Sequence, residues 1–431
     1  MRKIYDRNIV YDIMHPLVDL AVKTSYRQMQ VTGKSYIPKD GAVIIAPNHT
    51  NALMDALVIL SCFRNATIFG TRADIFRKPL LARLFFNLRM IPMPRVRDGI
   101  REVAKNHEIA ETVYEAMENG MRFCLFPEGT HRPAHSLMHV GKGVVRMALE
   151  ANARFGDKKP VYIVPTGIEY SDFFRFRGKA LINFARPINV TEFVVQHPEL
   201  SEVQLLEPLR AQLEASMRGQ ISYAENDEYM NERWTLATML GREQMTLYSS
   251  MNGRREILGQ IQKCFSNKPA ECAALLEKVR RFDSERRAAG ISRFSLKAKM
   301  LPLRCILKTL VALLALPLVL FALPVTLPQQ VAAALIVPKI KDEAFRNTAR
   351  FGVKLGGNIL MTPLWAALCF CLIHPWYYAL MTLLLCFPAY GLLYDYREFL
   401  RVMVSDWRLL GKPETRCRYD EIINEFNQLN K

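Results

Sequence analysis

His49 and Asp55 stand six positions apart in APNHTNALMD (46–55), directly after an apolar run. A neutral imidazole takes a proton from a hydroxyl when a nearby carboxylate fixes its tautomer and stabilises the cation that forms. The activated hydroxyl is then itself the nucleophile, and no serine or cysteine is required. Taken alone, the pair reads as a capping or packing histidine beside a locally satisfied acid. A second stretch, FPEGTHR (126–132), combines Gly129, which allows close backbone approach, with Glu128, Thr130 and N–H groups able to bond an oxyanion or a polyol phosphate. Between them, MIPMPRVRDG carries Arg95 and Arg97, whose guanidinium forks match phosphate oxygens.

Positioning these groups requires strand ends and turns. From position 41 to about 187, β-rich runs (GAVIIAP, ATIFGT, MRFCLFP, PVYIVPTGI, ALINFARPI) alternate with helical spacing, including a helix over 101–118. The pattern predicts an α/β domain, a central sheet flanked by helices. His49 then falls at a strand end. With Thr50 or Asn51 as N-cap of the next helix, Asp55 reaches back to the imidazole from its first or second turn.

The flanking segments differ. Val10, Ile13, Met14, Leu17, Val18 and Ala21 recur at spacings of three and four, an amphipathic helix that either lies on a membrane surface or packs on a neighbouring domain. Residues 201–300 are charged and helix-prone. No Asp, Glu, Lys or Arg occurs over 309–338 or 355–394. The second stretch, about 60 Å long if helical, is twice a hydrocarbon core, so it reads as two spans turning near His374-Pro375. The first, broken by Pro317, Pro324 and Pro328, reads as a broken or re-entrant hairpin. Cations flank both: Lys297, Lys299, Arg304 and Lys308; Lys339, Lys341, Arg346, Arg350 and Lys354; Arg397, Arg401 and Arg408. The positive-inside rule places all three flanks, and with them the α/β domain, on the cytoplasmic face.

The chain of 431 residues carries 58 Lys and Arg against 41 Asp and Glu, a net charge of +17, with half its residues hydrophobic. That pairing suits an anionic phospholipid bilayer as partner; without a nucleic-acid motif and with so apolar a C-terminal third, nucleic acid is excluded as a partner. Nine scattered cysteines without a CxxC pair suggest neither a disulfide framework nor a metal site. The charged N-terminus is not a cleaved signal peptide.

In their order, these blocks resemble the glycerolipid acyltransferases, which include glycerol-3-phosphate and lysophosphatidate acyltransferases. NHTNALMD is similar to the first block, which implies His49 as base and Asp55 as its orienting partner. Arg95 in IPMPR resembles the second block, which holds the acceptor phosphate, and FPEGT the third, which implies acceptor binding by Phe126, Pro127, Glu128, Gly129 and Thr130. IVPTGI, with Pro165, resembles the acyl-donor block, and VGKGVVRMALEA (140–151) the segment that follows the third.

One departure is the five residues between His49 and Asp55, where the commoner block has four. A loop outside the helix can absorb the extra residue. The longer gap, a helical insertion and C-terminal membrane segments resemble the yeast-type microsomal glycerol-3-phosphate/dihydroxyacetone-phosphate acyltransferases. The resemblance implies an acyl thioester, on CoA or acyl carrier protein, as co-substrate without a further cofactor, and glycerol 3-phosphate as acceptor. Lysophosphatidate is the alternative acceptor, and a non-catalytic lipid-binding scaffold the rival from another class. The expected organisation is an interfacial helix over 1–30, a catalytic domain over 31–220, a helical cytoplasmic segment over 221–300, membrane hairpins over 301–400 and a cytoplasmic tail over 401–431.

Overall fold

The computed structural model describes residues 3–63, 67–76, 79–93, 106–241 and 244–430. The chain divides into two units, one of Met1–Phe173 with Gly178–Tyr223, the other of Phe174–Arg177 with Ala224–Lys431.

The first unit is α/β. Its described strands are β1 (Gln28–Thr32), β2 (Ala42–Pro47), β3 (Thr67–Arg72), β4 (Met90–Met93), β5 (Arg122–Cys124), β6 (Val161–Tyr170), β7 (Lys179–Phe184) and β8 (Ile188–Asn189). They form one sheet in the order β1-β7-β6-β2-β5-β3-β4, with β8 also on β6. Helices α1 (Ile9–Lys23), α2 (Leu53–Leu60), α3 (Pro79–Asn87), α4 (Asn106–Glu118), α5 (Gly143–Phe155), α6 (Val190–Gln196) and α7 (Glu202–Arg218) accompany it.

β2 lies between β5 and β6, parallel to both. All six of its residues are buried, which explains why AVIIAP is continuously apolar rather than alternating. Pro165 in β6 is buried where the neighbouring strand changes: β8 pairs with Tyr162 and Ile163, β7 with the segment from Thr166 onward. A residue without an N–H is tolerated in that gap, and its carbonyl accepts the Ala185 N–H at 2.9 Å.

The β-rich runs of the sequence appear as β2, β3, β5, β6 and β7. The edge strands β1 and β4 lie outside those runs. On α1, Ile9, Val10, Ile13, Leu17 and Leu20 are exposed, while Tyr11, Ala21 and Val22 are buried.

The second unit is helical: α8 (Met230–Leu240), α9 (Leu247–Asn267), α10 (Pro269–Ala288), α11 (Arg293–Leu296), α12 (Leu301–Ile336), α13 (Glu343–Leu372), α14 (Trp376–Leu410) and α15 (Pro413–Leu429). Among the described residues three segments are long and apolar enough to cross a membrane: Leu301–Lys339, Glu343–Leu372 and Trp376–Leu410. The turn between α13 and α14 falls at 373–375, where His374-Pro375 places it.

Of the broken or re-entrant hairpin expected in the first apolar stretch, the break is absent. α12 continues for 36 residues through Pro317, Pro324 and Pro328. Each proline removes one backbone donor, yet a full break in apolar surroundings would leave several groups unsatisfied, so the helix continues. Near its start, Arg304 and Lys308 bond the buried Asp406 at 2.9 and 2.8 Å; nearer its end, Gln330 accepts from Arg397 at 3.3 Å. Residues 308 and 330, about 33 Å apart along a straight helix, thus meet residues of α14 only nine positions apart, so α12 bends back as a re-entrant segment does.

Candidate active site

β2 ends at Pro47, and Asn48 and His49 follow at the C-terminal end of this central strand. Asn48 extends the ladder with its side chain, accepting the Ile168 N–H at 2.6 Å and donating to the Ile168 carbonyl at 3.1 Å. This fixes the exit direction of the chain. The loop that follows closes on Asp55, which is fully buried.

Asp55 Oδ2 accepts the backbone N–H groups of Thr50 and Asn51, both at 2.7 Å, and lies 2.8 Å from His49 Nδ1. Its Oδ1 accepts the Tyr170 hydroxyl at 2.8 Å. Backbone N–H groups can only donate, so Oδ2 is an acceptor and His49 Nδ1 must carry a hydrogen towards it. Nε2 of the neutral ring is therefore the bare nitrogen, available to take a proton.

The helix start differs from expectation. Ala52, not Thr50 or Asn51, is the N-cap of α2, and its side chain makes no cap bond. Asp55, in the first turn, takes over that task by reaching back to two N–H groups preceding the helix, a place that favours a carboxylate. The loop absorbs its extra residue at a cost, because Ala52 adopts φ 46° and ψ −130°, a region suited to glycine. Ala52→Gly is expected to raise stability by about 1 kcal/mol without loss of activity. Thermal unfolding in detergent measures it, and a lowered midpoint would contradict the strain.

The turn after β5 closes the other side. Glu128 Oε1 accepts the His49 N–H at 2.8 Å and Oε2 the Met138 N–H at 2.9 Å. Each carboxylate oxygen accepts one N–H, so Glu128 ties two loops together. The Pro127 carbonyl accepts the Gly141 N–H at 2.9 Å, and the His49 carbonyl the Arg132 N–H at 3.2 Å. Phe126 stacks on the His49 ring, centroids 4.2 Å apart, and His131 meets it edge-on at 5.3 Å. Gly129 has φ +64°, and a Cβ there would meet nothing within 4 Å, so glycine serves backbone conformation. Gly129 and Thr130 are exposed on this turn. Pro165 lies in the sheet, one residue before Thr166, whose carbonyl receives the Asn48 N–H at 3.3 Å. Arg95 and Arg97 lie outside the described residues.

Burial outweighs the two N–H bonds at Glu128 and pushes its carboxyl from 4.5 up to about 7. A folded chain that holds this proton more tightly than the unfolded chain is favoured at acid pH. The contribution is complete below pH 4.5, declines towards about 7 and is gone above it, on the order of 3 kcal/mol in all. Glu128→Gln should flatten the fall in unfolding midpoint that the native chain shows between those values. Equal slopes in the two proteins would contradict the assignment.

Tyr170, bonded to Asp55 from 115 positions away, is the site residue that sequence reading missed. Tyr26 stacks on it with centroids 5.9 Å apart. Neither carries a local signal, because only the sheet brings the end of β6 to α2. Burial pushes the thiols of Cys124 well up and of Cys62 up to about 12, which suits neither to act as a nucleophile. Among the described residues no cluster of His, Cys, Asp and Glu could hold a metal ion.

Residues 28–169 match the family model described as Acyltransferase. The segment that builds this site is thus an acyltransferase domain, and the class of protein is an acyltransferase enzyme. Among solved structures, the 1-acyl-sn-glycerophosphate (LPA) acyltransferase PlsC from Thermotoga maritima is similar at 22% identity, covering 49% of this chain and 78% of that one, with a TM-score of 0.36. No curated protein matches the chain.

Proposed function

We propose that the protein is a membrane-bound glycerolipid O-acyltransferase that moves a fatty acyl group from a thioester, on CoA or acyl carrier protein, to a hydroxyl of glycerol 3-phosphate. The observation that carries this reading is the 2.8 Å contact of His49 Nδ1 with a carboxylate already saturated by N–H and O–H donors. Nε2 takes the proton of the acceptor hydroxyl as its oxygen bonds to the thioester carbonyl carbon. Asp55 stabilises the imidazolium. The tetrahedral intermediate then expels the thiolate as its C–S bond breaks, and the thiolate takes the proton from His49.

Arg95 and the Phe126–Thr130 turn, Glu128 included, are assigned to the acceptor phosphate and Pro165 to the donor side, on the block resemblance. The exposed apolar stripe of α1, near Lys23 and Arg27, would rest on headgroups, bringing the site to an anionic bilayer on its cytoplasmic face.

The test offers purified protein glycerol 3-phosphate, dihydroxyacetone phosphate and lysophosphatidate with each thioester donor. Acylation of glycerol 3-phosphate is the expected result. Acceptance of lysophosphatidate alone would move the assignment to the second hydroxyl. Lipid binding without thioester consumption would replace it with a scaffold.

A further inference from the structure

The uncharged stretch 355–394 is bounded by Lys354 and Asp395. Within the second unit these boundaries adjoin, because Phe174–Arg177 lies against both. Arg177 Nε bonds both Asp395 oxygens at 3.2 Å, and the Lys354 ammonium sits 5.4 Å from the Phe176 ring centre.

At this level six cations, Arg175, Arg177, Arg350, Lys354, Arg397 and Arg401, face two acids, Asp395 and Glu398. The acids are engaged: Glu398 by Arg175 at 2.8 Å and Arg401 at 3.6 Å, Asp395 by Arg177. Arg350 instead donates to the Phe174 carbonyl at 2.6 Å and Arg397 to Gln330 at 3.3 Å, and among the described residues neither meets a carboxylate. Phe176, two residues on from Phe174, packs on Tyr390 with ring centroids 5.6 Å apart, so the Arg350 bond leads into one aromatic cluster. Arg397 also lies over the Tyr394 ring, 5.8 Å from its centre, and Tyr394 packs on Phe176 at 4.8 Å.

Surplus cations with tyrosines at the edge of an apolar hairpin match the depth at which lipid phosphates lie. Guanidinium groups grip phosphate through paired N–H bonds, where an exchange of the neutral carbonyl and amide acceptors for an anion is favourable. We propose that Arg350 and Arg397 form a binding site for the headgroup phosphate of an anionic phospholipid, beside the ends of α13 and α14. This site rests on the membrane character of the hairpin and is independent of the acyl-transfer chemistry.

The full chain, purified in detergent, is heated with phosphatidylglycerol, phosphatidylcholine or inorganic phosphate. Phosphatidylglycerol should raise the native Tm by a few degrees, phosphatidylcholine and free phosphate by much less. Arg350→Gln with Arg397→Gln should remove at least half of the rise, whereas Lys299→Gln, an exposed cation elsewhere, should keep it. If the double variant does not fold, each single variant is expected to lose part of the rise. An undiminished rise in the variants, or an equal rise with phosphatidylcholine or phosphate, would overturn the proposal.

Discussion

Acyl transfer by His49→Ala should fall by about 10³-fold in kcat, the contribution of a positioned general base. The geometry makes this a clean removal. The backbone of residue 49 keeps its bonds to Glu128 and Arg132, and Asp55 keeps Thr50, Asn51 and Tyr170, so loop and helix start remain tied. What disappears is the bare Nε2 and the face on which Phe126 stacks. The measurement is thioester consumption and acylated product at equal amounts of folded protein, judged by unfolding midpoint. Near-native turnover would remove His49 from the reaction and leave it a packing residue.

For Asp55→Asn the expected loss is about 10²-fold or more in kcat with little change in acceptor KM, since the variant alters the stability of a cation formed only during reaction. An asparagine oxygen at the Oδ2 position still accepts the N–H groups of Thr50 and Asn51 and that of His49 Nδ1. Its amide can donate to the Tyr170 oxygen if that hydroxyl turns away. Asp55→Ala is different: it leaves two buried N–H groups and a buried hydroxyl without their acceptor, at about 1–3 kcal/mol each. A carboxylate that merely holds the loop would give an active Asn variant and an unstable Ala variant. An inactive but stable Asn variant marks the charge itself as the working part.

The order of blocks along 46–165 made the central sheet and the His49–Asp55 pairing legible, because strand ends and helix starts are local events written in neighbouring residues. Glu128 shows where this stops. Its motif announced a site residue, but not that its oxygens meet the N–H groups of His49 and Met138, a matter of how two loops converge. Ala52 carried no signal, since backbone strain follows from closing the loop between β2 and α2 rather than from residue type.

What the sequence by itself determined is periodicity: β-rich runs alternating with helices, a charged helical segment, and two long uncharged stretches, the second turning at His374-Pro375. The tertiary structure alone decided that Tyr170 reaches Asp55, that α12 stays helical through three prolines, and that Arg350 bonds the Phe174 carbonyl. The physical reason is common to all three. Chain pattern specifies which face of an element is apolar, whereas a bond between residues far apart in the chain exists only after those faces have packed.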